Sequence, residues 1–240
     1  MNSLNGIKKI TVILGISGII NGCGSIPKEA TSSLASGLTT RAPAVIVWNS
    51  DISESSNKDK EFQKNSKKAC RHLINNHLQK NDIISFQAFA YGVAGAGEQT
   101  FANEIDSAGI CNAASKEVKK IQKKGFISKQ PGTYLIKALE SSERILDRFS
   151  TQQPSSKYAQ QHSLRKVVIV MLQADDTNDP TNLSKKTGKV INRLLDKQAT
   201  VLILTEDNTL DSRLYYFVNN NNFKTCLVSN YASCLDQTLK

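Results

Sequence analysis

Several common signatures are missing from these 240 residues, and each absence removes a class of function. No two cysteines stand in C-x-x-C spacing, which removes a zinc ribbon. Histidine is scarce: His72 and His77 are five residues apart, off a common helical face, and His162 falls in a predicted loop. The spacing therefore predicts no histidine-based metal site. There is no G-x-S-x-G, and no serine has an evident histidine partner. The stretch containing Gly92, Gly95 and Gly97 is not G-x-G-x-x-G and lacks a following Lys-Ser/Thr, so it reads as a hairpin connection rather than a phosphate loop. The net charge of +10 comes without aromatic–basic interleaving, and nucleic-acid binding is not expected. There is no internal repeat, and the apolar stretch 10–20 falls short of the roughly 20 residues a spanning helix needs.

That stretch, preceded by Lys8 and Lys9, has the build of an export signal. It ends in Ile20-Asn21-Gly22-Cys23, which resembles a bacterial lipobox, although Asn21 stands where Ser, Ala or Thr is usual. The expectation is a signal peptide over 1–22, lipidation of Cys23, and a flexible Ser/Thr/Ala-rich tether over 23–42. A signal cut elsewhere, or a short buried strand, are the alternatives. Loss of the segment would lower the net charge to +8, and the protein would sit in the cell envelope as a membrane-anchored lipoprotein on a periplasmic or extracellular face. The remaining cysteines, Cys70, Cys111, Cys226 and Cys234, allow two disulfides in three connectivities. A strand at Cys226 and a helix at Cys234 favour Cys226–Cys234 with Cys70–Cys111; buried free thiols are the alternative.

Residues 43–240 read as one α/β domain. Apolar, β-branched runs predict strands at 44–48, 82–91, 167–172, 200–204 and 224–228, with a short antiparallel partner at 99–102. Amphipathic patterns predict helices over 59–79, 114–124, 133–149, 183–195, 210–218 and 231–239. Strands without strict alternation, spaced by such helices, give a Rossmann-like, doubly wound, mainly parallel sheet covered on both faces, with one short antiparallel edge strand. In such sheets the binding crevice lies beyond the carboxyl ends of the strands. Asp51 and Asp175 are both predicted there. The lysines at 116, 119, 120, 123 and 124 share one helical face and read as a solvated surface, with contact to anionic headgroups or another polyanion as the alternative.

At three fragments the chain resembles the von Willebrand factor A domain and its metal-ion-dependent adhesion site. Asp51-Ile52-Ser53-Glu54-Ser55 matches the Asp-x-Ser-x-Ser loop after the first strand, Gly132-Thr133 the second element, and Asp175 the third. Glu54 replaces a common glycine, and Ala174-Asp175-Asp176 replaces Thr-Asp-Gly, so Asp176 is an alternative ligand to Asp175. The resemblance implies a site for Mg²⁺, or Mn²⁺ or Ca²⁺, made by Asp51, Ser53, Ser55, Thr133 and Asp175. It also implies a non-enzymatic module in which the bound ion captures an Asp or Glu of a partner protein. Capping and turn roles for the same residues are the plainer alternative. Two rival functions remain: a metal-assisted hydrolase or phosphotransferase using Asp51, Asp175 and Asp176, and a structural envelope lipoprotein whose metal site has decayed.

Overall fold

Three neighbouring strands with almost no polar residue in their middles set the architecture. The structure, a computed structural model, describes residues 42–79, 81–100, 107–124, 134–151, 164–174, 180–215, 218 and 220–239. The strands are β1 (Ala44–Asp51), β2 (Ile83–Phe89), β3 (Val93–Thr100), β4 (Arg165–Leu172), β5 (Ala199–Thr205) and β6 (Phe223–Leu227). The helices are α1 (Glu54–Lys58), α2 (Lys60–His77), α3 (Ser107–Lys124), α4 (Leu135–Thr151), α5 (Pro180–Asp196), α6 (Leu210–Tyr215) and α7 (Tyr231–Thr238). Strand order is β3-β2-β1-β4-β5-β6. All neighbours are parallel except β3, which runs antiparallel to β2 at the edge. This is the doubly wound, mainly parallel sheet expected from the sequence.

Because side chains alternate along a strand, both faces of the sheet must be covered. Ala44, Ile46 and Trp48 of β1, with Ile169 and Met171 of β4, face one apolar layer. There they meet Phe62, Leu73 and Ile74 of α2, Ala114 of α3 and Leu235 of α7. Val45, Val47, Val168 and Val170 face the other layer, closed by Leu135 and Leu139 of α4, Ile191 and Leu194 of α5, and Leu210 and Leu214 of α6. The layers are tied differently. In the first, disulfides join Cys70 of α2 to Cys111 of α3 and Cys226 of β6 to Cys234 of α7. In the second, Glu143 of α4 accepts from Arg193 of α5 at 2.8 Å, while Lys197 reaches Glu143 at 2.9 Å and Asp147 at 2.8 Å.

Three elements differ from the sequence expectation. The glycine-rich segment is not a connection but strand β3 itself, and the turn before it is only Ala90 to Gly92. Its register with β2 shifts at Phe86/Gln87, a bulge at which Gly97 takes φ 122°, a conformation that disfavours side chains. Helix α3 begins at Ser107 rather than at 114, its first turns lacking apolar periodicity but carrying the buried, bridged Cys111. Helix α1 was not expected. The Ser53 side chain caps it and Asp59 caps α2 directly after it.

At the opposite, amino edge, Asp82 is fully buried. Its carboxylate accepts from the Ala44 N–H at 2.7 Å and the Gln79 N–H at 2.9 Å, pinning the start of β1 to the turn before β2. Asp82→Ala would leave the buried Ala44 N–H and the half-buried Gln79 N–H without that acceptor. Urea unfolding should show a loss of about 2–4 kcal/mol, measured against the wild type.

Candidate functional site

The sheet order brings the carboxyl ends of β2, β1 and β4 side by side, and the loop after β1 leaves from the middle of the three. Asp51, the last residue of β1, is 2% exposed. One carboxylate oxygen accepts from the Ser53 N–H at 2.8 Å, and the other from the Gln173 N–H, just past β4, at 3.1 Å. The Ser56 hydroxyl, fully buried, donates to the carbonyls of Asp51 and Ser53 at 3.0 and 2.9 Å. The loop therefore turns back on its own backbone and presents the Ser53 and Ser55 hydroxyls together, 3.1 Å apart. Gln122 of α3 closes its flank through the Ile52 carbonyl.

Burial pushes the Asp51 carboxyl above its ordinary value, against the hydrogen bonds from Ser53, Gln173 and Ser56. A buried carboxylate without a nearby cation is costly, and a bound cation reverses that cost. Adjacent ligands of an octahedral Mg²⁺ with bonds of about 2.0–2.1 Å stand about 2.9 Å apart. The 3.1 Å between the two serine hydroxyls fits that edge. Among the described residues the buried side-chain oxygen of Gln173 has no hydrogen-bond partner. The donor set is hard oxygen throughout, and it suits such an ion.

Of the residues expected to form the site, Asp51, Ser53 and Ser55 are brought together. Thr133, Asp175 and Asp176 lie outside the described residues, as does Cys23 with its signal and tether. The described neighbours of those loop residues are at the same edge. The Tyr134 N–H donates to the Ala90 carbonyl, just past β2, at 3.0 Å, and the Tyr134 ring meets Tyr91 edge-on. Gln173, two residues before Asp175, is the residue bonded to Asp51.

Sequence reasoning missed Asp59 and Glu206. Asp59 accepts from the Gln173 side chain at 3.4 Å, and Glu206 follows β5, its N–H bonded to the Leu172 carbonyl. Glu206 is exposed, and partial desolvation with the Asp59 carboxylate beside it raises its carboxyl to about 7. Its position at a strand's carboxyl end was the available signal. Helical spacing also separates His72 from His77, yet at the far end of α2 both rings converge on Asp236 of α7, at 2.7 and 2.8 Å.

No protein-family model and no curated protein matches the chain. Solved structures do. Proximal thread matrix protein 1 from the mussel byssus is 14% identical with a TM-score of 0.56, over 82% of this chain and 47% of that one. A von Willebrand factor type A protein from Catenulispora acidiphila is 17% identical with a TM-score of 0.52, over 82% of this chain and 41% of that one. The manganese-loaded TRAP protein of Plasmodium vivax is 11% identical with a TM-score of 0.54, over 82% and 74%. The chain thus spans about half or less of the first two, and the fold is von Willebrand factor A-like.

Glu206 gives this edge a pH signature. Its folded-state value of about 7 lies above the ordinary 4.5, so its contribution to stability is complete below about pH 4.5 and lost as pH rises through about 7. In chelator-treated buffer, Glu206→Gln should melt above the wild type at pH 8 and level with it at pH 4.5. Parallel melting profiles across that range would show that the Glu206 carboxyl is not raised.

Proposed function

We propose that this chain is a protein-binding module that captures an acidic residue of its partner through a divalent cation held at the Asp51 loop. Asp51, Ser53 and Ser55 hold the ion, completed by Thr133 and by Asp175 or Asp176. Mg²⁺ is the natural occupant, with Mn²⁺ or Ca²⁺ as substitutes. When bound, such an ion supplies a hard Lewis-acidic position that a carboxylate from outside can fill. The observation that carries this reading is a buried carboxylate with two serine hydroxyls 3.1 Å apart beside it, at the carboxyl edge of a doubly wound sheet.

The surface next to the loop favours an acidic partner. A groove of about 510 Å³ runs along α2 and α3, lined by Lys60, Lys64, Lys67, Lys68, Arg71 and Lys119. Positive potential there would speed the encounter with an acidic segment, and the effect should weaken with salt. The two disulfides favour an oxidising compartment, in keeping with export and with a lipid anchor at Cys23 that holds the module at the cell envelope.

A second reading has a specific observation behind it. A carboxyl group raised to about 7 is poised to act as a general base, so Glu206 beside a metal would suit a hydrolase. The two readings separate on one variant. Glu206→Gln should leave partner capture intact, whereas it would abolish turnover of a phosphoester or peptide substrate.

The direct test is a thermal titration with Mg²⁺ and Mn²⁺. At about 100 times its Kd, the ion should raise Tm by about 5–10 °C. Asp51→Ala should remove the response, together with metal-dependent retention on a Glu-rich peptide surface. Retention that survived both chelator and Asp51→Ala would overturn the reading.

A further inference from the structure

We propose a second metal site, for a borderline divalent cation such as Zn²⁺, formed by His72, His77 and Asp236. It lies at the other end of the molecule from the Asp51 loop. Helix α2 starts at Lys60, beside Asp59, and 17 residues later ends at His77, a span of about 25 Å.

The geometry is convergent. His72 Nε2 and His77 Nε2 lie 2.7 and 2.8 Å from the same oxygen, Asp236 Oδ1. All three donor atoms lie within 4.8 Å of one another. Two imidazole nitrogens and one carboxylate are the donors of open zinc sites, in which water takes the fourth position. The exposures suit that arrangement. The His77 and His72 side chains are 11% and 21% exposed, so the rings are shielded, while Asp236 is 48% exposed and leaves one side to water.

A tetrahedral ion with bonds of about 2.0–2.1 Å holds its ligands about 3.3 Å apart. The carboxylate must therefore withdraw by about half an ångström from its present hydrogen-bonded position. Asp236, a half-exposed side chain on a surface helix, can do this by rotation, and the two ring nitrogens, within 4.8 Å of each other, would close onto the ion. His72 is set by Tyr231, edge-on with ring centroids 5.9 Å apart, and by the Asn76 side-chain amide, 3.0 Å from its Nδ1. Turned over, that amide accepts from Nδ1–H and frees Nε2 for a metal, the supporting contact that ligating histidines usually have. The helices that carry the ligands are themselves fixed, α2 by Cys70–Cys111 and α7 by Cys226–Cys234. Among the described residues Arg165 acts on His77, and it donates to the Leu239 carbonyl at 3.1 Å. A cation bound here would join α2 to α7.

The test uses the full-length chain, freed of metal by chelator and exchanged into plain buffer at pH 7.5. Zn²⁺ at about 100 times its Kd should raise Tm by about 5 °C or more, and Co²⁺ should develop the visible bands of a low-symmetry site. Both responses should be lost in His77→Gln and in Asp236→Asn. Asp51→Ala should retain them, and the two variants should retain the response to Mg²⁺, which separates this site from the one at the Asp51 loop. Asp236→Asn alters a half-exposed group, so it remains informative should His77→Gln fold poorly. A wild-type chain that shows neither response would mean a hydrogen-bonded trio only. Responses unchanged in Asp236→Asn would place the ion elsewhere. Either result would overturn the proposal.

Discussion

One buried carboxylate governs the carboxyl edge of this protein. Asp51 leaves the central strand at 2% exposure, and its two oxygens hold backbone N–H groups from its own loop and from the end of the neighbouring strand β4. Because both donors are main-chain groups, the position of the loop is set by the sheet rather than by mobile side chains. Ser53 then caps α1, Ser56 ties the turn to its own backbone, and Asp59 starts α2. Removing the carboxylate would free the crossing between β1 and β4, so a binding role and a structural role rest on the same atoms.

The arrangement follows from how a parallel sheet is covered. Helices on both faces leave only the edges of the sheet open to solvent. At the carboxyl edge β1 has the loops of β2 and β4 on either side. The amino edge is closed by the buried Asp82, whose two bonds tie β1 to the turn before β2. Polar chemistry is thus concentrated at the ends of the strands, while their middles are buried among aliphatic side chains. Asn49 and Gln87 depart from that rule, bonded to Ser142 and Ser141 of α4 and so locating that helix over β1 and β2.

The central strands were legible in the sequence because continuous β-branched runs such as Val167 to Val170 suit only a strand buried on both faces. The Asp51 loop was legible through its resemblance to an Asp-x-Ser-x-Ser element, while its composition alone suited a cap or turn equally well, and Ser53 does cap α1. Strand β3 was not, because Gly95 and Gly97 argue for a turn by local preference, and only pairing with β2 overrides it. The first turns of α3 were hidden for a related reason: their burial depends on the bridge from Cys111 to Cys70 rather than on periodicity. His72, His77 and Asp236 were illegible for a geometric reason. Two residues at i and i+5 diverge on a regular helix, and their common partner lies 159 residues from the nearer one. Glu206 follows a strand that the sequence did show, and what was hidden was its approach to Asp59, which depends on β5 lying beside β4.

The two faces of the sheet are fastened by different chemistry, and this makes them answer to different surroundings. Among the described residues, both covalent bridges lie on the α2–α3–α7 side, while α4 and α5 are linked by the Glu143, Asp147, Arg193 and Lys197 charges. A reductant acts on the first side and leaves the second as it was. A rise in ionic strength screens the ties of the second, while the two bridges of the first stay intact. The two surfaces of one domain can therefore be loosened independently, one by electron supply and the other by salt.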